Sequence, residues 1–256
     1  MSTLASHLSS VLPEALISHL TRRRTFLTLL VAPAVLHRLL GNYLLFRALG
    51  PGGLPSNPVG WAVSCALKLL SREPLSSARY VDDGPAHLAP LVVRSGERPR
   101  TSWHPVPQRQ VSQLPSADVV AAIESALLEV HAEFYEVTEQ RTSVFERHGT
   151  ALFVKKDLPD ERVAAAVVRA KREVAHVHET DGSAHVVMAS HADCREVIEK
   201  GWGQRHPLAG VLLCREYLMI YAPRNWEEVS VVRTIVEAAV KGAVGKAKPV
   251  PGQWNS

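Results

Sequence analysis

The spacing of apolar positions divides the second half of the chain into amphipathic helices and short strands. Helices are expected after Ser116, near Pro159 and after Asn225, because apolar residues recur there at helical spacing. Between them, runs rich in apolar and β-branched residues over 150–154 and 217–221 predict strands. We therefore expect an α+β fold in which an antiparallel or mixed sheet is flanked by helices.

Residues 1–50 carry a different pattern, in which a basic cluster precedes an apolar stretch. The arginines at 22–24 are followed by an uncharged run over 25–36, and Arg38 separates this run from a second one over 39–46. A perpendicular membrane span needs about 20 apolar residues, which neither run provides. We expect an N-terminal apolar helical anchor that makes the protein membrane-associated. A span, a helix lying in the interface and a buried helix all remain open.

Residues 51–115 predict one helix and then an extended arm. The apolar stretch 59–70 has helical length, whereas 71–115 is rich in Pro, Ser and Arg and has no sustained period. Such a long irregular stretch is either disordered or wrapped over a functional surface, and we expect it to pack on the core. Four residues suit that second role: Trp103, His104, Arg109 and Gln110. The remaining residues, 116–256, form the predicted catalytic domain.

Composition and charge narrow the classes of partner. The 256 residues carry a net charge of +4, but the basic residues are scattered except at 22–24, and a basic cluster before an apolar stretch favours a membrane surface. The sequence contains no zinc-finger or RNA-recognition motif, so no nucleic-acid partner is expected. Cys65, Cys194 and Cys214 lie far apart, which favours a reducing, cytosol-facing environment. The sequence leaves the oligomeric state open.

A histidine-rich hairpin is the strongest candidate for chemistry. Its predicted strands are 174–179 and 184–189. They flank Asp181-Gly182, a dipeptide favoured in two-residue hairpin turns. Such a turn would pair His178 with His185 and His176 with Val187 across the strands. The three histidines would then share one face of the hairpin. Three imidazoles on one face can hold a divalent transition metal, or one of them can act as a general base.

A dense loop at 201–210, GWGQRHPLAG, is expected to complete the site. Its glycines allow tight turns, Trp202 offers a flat apolar surface, and the next polar residues, Gln204, Arg205 and His206, offer hydrogen-bond donors. A structural alternative exists, in which Arg205 pairs with a carboxylate and Trp202 fills the core.

Three segments carry a family resemblance: KREVAHVH at 171–178, the 201–210 loop, and YAPRN at 221–225. In this order and spacing they resemble the fungal luciferases and their bacterial and fungal relatives, and a weaker likeness extends over nearly the whole chain. The resemblance implies a luciferase-like catalytic domain. Luminous members of the family oxidise 3-hydroxyhispidin, a hydroxylated pyrone, with O2, lose CO2 and leave an excited product. Light emission does not follow from the motifs, because the wider family includes members with no known luminescence. The turn at 180–183 also differs from that of the luminous members, which leaves the emission yield and the exact substrate open.

The resemblance gives the site residues expected roles. The sequence shows no Rossmann fingerprint and no haem-attachment motif, so we expect O2 as co-substrate and no organic cofactor. His178 or His185 would deprotonate the acidic enol of the pyrone. Arg205, His206 and Arg224 would stabilise the anion and the developing peroxide charge. The residues expected to be catalytic are His176, His178, His185, Arg205 and His206. Those expected to bind substrate are Trp202, Gln204, Tyr221 and Arg224.

Several alternatives stay open. A metal-assisted oxygenase would use His176, His178 and His185 as ligands, although the metal-free version is favoured. A non-luminous, membrane-tethered binder of small polyketide or lipid ligands would line a recognition pocket with the same residues. Arg224 is either an active-site cation or a partner for the acidic residues that begin the last helix.

Overall fold

The computed structural model describes residues 14–81 and 84–245, and the chain divides into two compact units, Met1–Ala48 and Leu49–Ser256. The first unit contains helix α1 (Glu14–Ala48), which continues through Pro33. Within the described ranges, no helix carries an apolar stretch long enough to cross a membrane. The predicted apolar anchor is therefore not supported, because basic residues interrupt the apolar runs of α1. Association with a membrane surface and a cytosol-facing location stay predictions, and residues 1–13 of the anchor lie outside the described part.

The second unit is an α+β domain with one six-stranded sheet. Its helices are α2 (Pro58–Lys68), α3 (Ala117–Glu133), α4 (Ala165–Arg169), α5 (His191–Glu199) and α6 (Trp226–Val244). Its strands are β1 (Thr138–Thr142), β2 (Thr150–Val154), β3 (Glu173–Val177), β4 (Ala184–Val187), β5 (Gly203–Arg205) and β6 (Tyr217–Ile220). They lie in the order β1-β2-β3-β4-β6-β5, and every neighbouring pair is antiparallel. The α+β class and the antiparallel sheet are confirmed.

Local signals place most of the helix starts correctly. The Asn225 side chain accepts a hydrogen bond from the Glu228 backbone and caps α6, and Ser190 caps α5 in the same way. Ser116 precedes α3 without a side-chain cap. The single helix expected near Pro159 is instead a 3-10 turn, Asp160–Arg162, followed by the short α4.

One face of the sheet is apolar and packs against α3 and α6. Val186 and Leu218 point to this face from neighbouring strands, and both are fully buried together with Ile235 of α6. Burial of such side chains stabilises the fold by about 1.5–3 kcal/mol each. This layer is the hydrophobic core that holds the sheet in place.

The arm is tied to the sheet and to α6 by buried polar side chains. Arg94 donates to the Glu228 carboxylate and to the Ala222 carbonyl, and the Gln110 backbone N–H donates to Asp181 Oδ2 at 2.6 Å. Bonds of this kind hold an irregular segment in place without a hydrophobic period of its own. The arm therefore contributes residues to the polar side of the sheet.

Candidate active site: a buried histidine cluster

The rings of His176, His178 and His185 lie together on the face of the sheet opposite Val186 and Leu218. Their centroids are 4.8–5.3 Å apart. His176 pairs with His185 across the strands, so the predicted pairing of His178 with His185 is wrong by two residues. A shift of two residues conserves the side-chain alternation, which is why the predicted shared face is nevertheless observed.

The turn is longer than predicted because Asp181 turns its side chain inward. The His178 backbone N–H donates to the Ser183 carbonyl, which leaves residues 179–182 as the loop. Asp181 Oδ1 accepts both the backbone N–H and the hydroxyl of Ser183. The two-residue turn that Asp181-Gly182 favours is thereby replaced by a loop built around a buried carboxylate.

Glu173 orients the ring of His176. Its Oε1 lies 2.6 Å from Nδ1 of His176, and it also accepts from the Ser143 hydroxyl and the Val144 backbone. Residues three apart in a regular strand point to opposite faces, but the register between β2 and β3 shifts between Leu152 and Phe153. This bulge brings Glu173 to the face of His176.

The other two rings are oriented through Nδ1 as well. The Ser183 hydroxyl donates to Asp181, so it accepts from Nδ1–H of His178 at 2.8 Å. Nδ1 of His185 lies 3.2 Å from the Leu218 carbonyl, which can only accept. In each of the three rings Nδ1 therefore carries hydrogen, and in the neutral ring Nε2 carries the lone pair.

Glu146 and Arg109 complete the polar cluster. Oε1 of Glu146 lies 3.8 Å from Nε2 of His178 and 3.9 Å from Nε2 of His176. Arg109 forms a buried ion pair with this carboxylate and also donates to the Pro51 carbonyl. Nε2 of His176 and Nε2 of His178 are buried and have no hydrogen-bond partner among the described residues.

Burial keeps the imidazoles of His178, His185 and His206 neutral. It lowers the pKa of His178 to about 4 and that of His206 to about 3, and it holds the pKa of His185 well below its usual value. Burial alone would raise the pKa of Glu146, but the paired Arg109 guanidinium favours the carboxylate by its charge and its hydrogen bond, so the carboxyl pKa is lowered. The cluster therefore presents the neutral rings of His178 and His185 beside an ionised carboxylate.

His206 joins the cluster in a different orientation. Its ring centroid lies 5.3 Å from that of His185, and its Nδ1 accepts the Leu208 backbone N–H. The hydrogen is then on Nε2, which interacts with the Pro105 carbonyl. His206 therefore borders the cluster but has no lone pair to offer it.

Three residues predicted for the site are engaged elsewhere. Arg205 pairs with Leu218, whose side chain belongs to the apolar core, so Arg205 leaves the sheet on the side opposite His185 and donates to the Glu73 carbonyl. Trp202 fills the core and donates its indole N–H to the Val92 carbonyl at 2.7 Å. Arg224 pairs with Glu228. The structural alternatives for Trp202 and Arg224 are those observed.

Gln204 and Tyr221 form a buried polar pair beside the arm. The Tyr221 hydroxyl donates to the Gln204 side-chain carbonyl at 3.0 Å, and the Gln204 amide reaches the Thr101 hydroxyl. Gln204 pairs with Met219, as does His185 on the neighbouring strand, so Gln204 and His185 leave the sheet on the same side. Their role as substrate-binding residues stays a prediction.

The sequence does not predict catalytic roles for four charged residues of the cluster: Arg109, Glu146, Glu173 and Asp181. Arg109 is among the arm residues that the sequence suggests for a functional surface. Glu173 stands three positions before His176, a spacing that gives a shared face only with a bulge. Glu146 lies in the irregular connection between β1 and β2, where the sequence has no period to reveal it.

Fold and site together define an α+β protein with a buried, histidine-rich polar centre. The luciferase-domain family model matches residues 171–239, a range that contains all four clustered histidines. The chain is 37% identical over 214 residues to a luciferase of Armillaria mellea, covering 78% of this chain and 79% of the relative. It is 36% identical over 212 residues to a luciferase of Neonothopanus nambi, with the same coverage. No solved structure gives a significant match.

The chain belongs to the fungal luciferase family. Identity of this size over most of both proteins is far beyond chance, and the matched region includes the sheet strands that carry the cluster. Membership supports a luciferase-type function and confirms the resemblance seen in the three sequence segments.

Proposed function

We propose that this protein is an oxygen-using oxidoreductase that oxidises a hydroxylated pyrone, 3-hydroxyhispidin, with O2 and with loss of CO2. The observation that carries the proposal is the buried imidazole cluster inside the segment that matches the luciferase domain. The named luciferases among its relatives are the reason for choosing a luciferase-type reaction.

The reaction needs an electron-rich substrate, because triplet O2 reacts slowly with closed-shell molecules. Loss of the enol proton gives the pyrone the electron density that O2 accepts. The groups that can take this proton are the unpartnered Nε2 atoms of His176 and His178 and the carboxylate of Glu146. The buried setting also excludes water, which strengthens electrostatic interactions with the substrate anion.

We infer a different anion-stabilising residue from those expected from the sequence. Arg205 and Arg224 are held by Glu73 and Glu228, whereas Arg109 is the guanidinium that touches the cluster, through Glu146. We infer that Arg109 balances the charge of Glu146 and of the bound enolate.

The test is an assay of the purified protein with 3-hydroxyhispidin in an oxygen electrode and a luminometer. We expect oxygen uptake with release of CO2, and a loss of about 10²–10⁴-fold in turnover for His176→Ala and for His178→Ala. His131→Gln on α3 serves as the matched histidine control and should retain turnover. Oxygen uptake without light would define a dark oxygenase of the family. Binding without uptake would overturn the enzymatic proposal in favour of a ligand binder.

A further inference from the structure

We propose that Nε2 of His176, His178 and His185, together with Oε1 of Glu146, binds one divalent transition-metal ion. The three imidazole donors favour Fe²⁺, Co²⁺, Ni²⁺, Cu²⁺ or Zn²⁺ over Mg²⁺ and Ca²⁺, and a single carboxylate is compatible with these ions. With the ion bound, the Nε2 lone pairs would no longer be available to accept a proton, and the ion would instead favour loss of the enol proton as a Lewis acid. This catalytic use rests on the proposed function, whereas the binding of the ion can be measured without any substrate. The inference goes against the sequence expectation, which favoured a metal-free site.

The donor atoms are close enough to converge on one ion. One ligand atom from each of the three histidines lies within 4.8 Å of the others. In a tetrahedral site with bonds of about 2.1 Å, the donors are about 3.4 Å apart. Inward movements of the rings totalling about 1 Å would therefore close the set, and Glu146 Oε1 lies within 3.9 Å of two of the Nε2 atoms.

The surrounding hydrogen bonds point the three lone pairs inward. Nδ1 of His176 is held by Glu173, Nδ1 of His178 by Ser183 with Asp181 behind it, and Nδ1 of His185 by the Leu218 carbonyl. Metal-bound histidines donate their second ring N–H to a carboxylate, carbonyl or similar acceptor in this way. A bulge and a lengthened turn, both described above, are what bring Glu173 and Asp181 into these positions.

Unpartnered buried atoms are the second, independent sign of a ligand. Nε2 of His176 and Nε2 of His178 have no hydrogen-bond partner among the described residues, although both rings are almost fully buried. Buried polar atoms in folded proteins nearly always have a partner. A metal ion at the centre of the cluster would satisfy both atoms at once.

The acidic surroundings of the rings are the third sign. The buried carboxyl groups of Glu146, Glu173 and Asp181 lie around the imidazoles, and Arg109 pairs with Glu146. Acidic groups this close would attract a divalent cation bound at the rings.

The experiment uses the full chain after removal of metals with EDTA. Zn²⁺ is titrated in by calorimetry, and Co²⁺ is followed by its visible absorption. We expect one equivalent of each ion to bind, with visible bands that report imidazole nitrogen ligation. His185→Ala and His178→Ala should weaken binding by at least about 100-fold, and Glu173→Gln by about 10–100-fold through loss of ring orientation. His131→Gln should bind as the parent chain does.

Folding of each variant is checked by circular dichroism. If His185→Ala does not fold, metal binding by Glu173→Gln and the Co²⁺ spectrum of the unaltered chain test whether the histidines bind the ion. No binding to the folded, metal-free protein, or binding that His178→Ala and His185→Ala leave unchanged, would overturn the proposal. Stoichiometric binding without turnover of 3-hydroxyhispidin would support the metal site and count against the proposed substrate. Full turnover by the metal-free protein would overturn the catalytic use of the ion.

Discussion

The two faces of the sheet are built in opposite ways. On one face, Val186 and Leu218 pack against α6 in a continuous apolar layer. On the other, His185 and His176 meet carboxylates and a guanidinium supplied by irregular segments. Because successive side chains on a strand point to opposite faces, one residue lies in the core that stabilises the fold, and the next lies in a centre whose groups interact through charge.

The difference shows how stability and chemistry share one scaffold. A charge on the apolar face is costly unless it has a partner, as Arg205 has in the Glu73 carbonyl, because the layer excludes water. The polar face holds several charges, but each is paired or hydrogen-bonded, as Arg109 is with Glu146 and Asp181 with Ser183. Substitutions of apolar residues on the first face should therefore act on folding. On the second face, loss of a single imidazole should act on activity, whereas loss of one partner of an ion pair should also reduce stability.

The largest effect is expected from Val186→Asp, which places a charge in the apolar layer. The free energy of unfolding should fall by more than about 4 kcal/mol, enough to unfold many domains, as measured by urea denaturation. His185→Leu, one position earlier and on the other face, should stay folded and lose turnover. Similar destabilisation by the two variants would show that the faces are not energetically distinct.

Arg109→Ala is expected to have the next largest effect, because it leaves the Glu146 carboxylate buried without its cation. The cost should be about 3–5 kcal/mol of unfolding free energy, read from urea denaturation. The double variant Arg109→Met with Glu146→Gln removes both charges and should recover much of that loss. Failure of the double variant to recover stability would contradict a pairing role for Arg109.

The sequence predicts the apolar face better than the polar one, and the reason is periodicity. Strand β2 begins and ends where the pattern placed it, and the buried residues of α6 follow helical spacing. Strand β1 was not expected, because its residues TEQRT are almost entirely polar. Glu146 and Arg109 come from segments with no period, so their meeting depends on tertiary structure.

Within the histidine cluster, the sequence predicts the shared face but not the partners. Side chains alternate along a strand whatever the turn, so an error of two residues in register moved no imidazole off the face. The hydrogen bonds of Asp181 and the bulge before His176 depend on where other segments lie. Alternation is a local property of the chain, whereas ring orientation is not.

Acid should act mainly on the polar face, since the apolar residues do not titrate. The pKa of His178 is about 4 when folded against 6.5 for the free side chain, so between these values the unfolded chain binds more protons. The stabilising contribution of the neutral ring is complete above pH 6.5 and is lost as the pH falls toward 4. On the order of 3 kcal/mol is expected from His178, by the free energy of a pKa shift.

Urea denaturation at a series of pH values between 7 and 4 measures this dependence. His178→Asn should reduce the slope of the curve by the share of this one ring, because the buried rings of His185 and His206 still resist protonation. A parent chain whose stability is constant over this range would contradict the burial of neutral histidines.

The smallest effect is expected from Trp202→Phe, which separates a structural role from the substrate-binding role expected from the sequence. The indole N–H donates to the Val92 carbonyl and so ties the arm to the core. Loss of this hydrogen bond should lower the unfolding free energy by about 1 kcal/mol, because phenylalanine retains most of the buried apolar surface. Turnover and KM should stay close to those of the parent chain in the oxygen-electrode assay. A raised KM with unchanged stability would instead indicate that Trp202 binds the substrate. The substrate site would then extend from the four histidines further along the 201–210 loop.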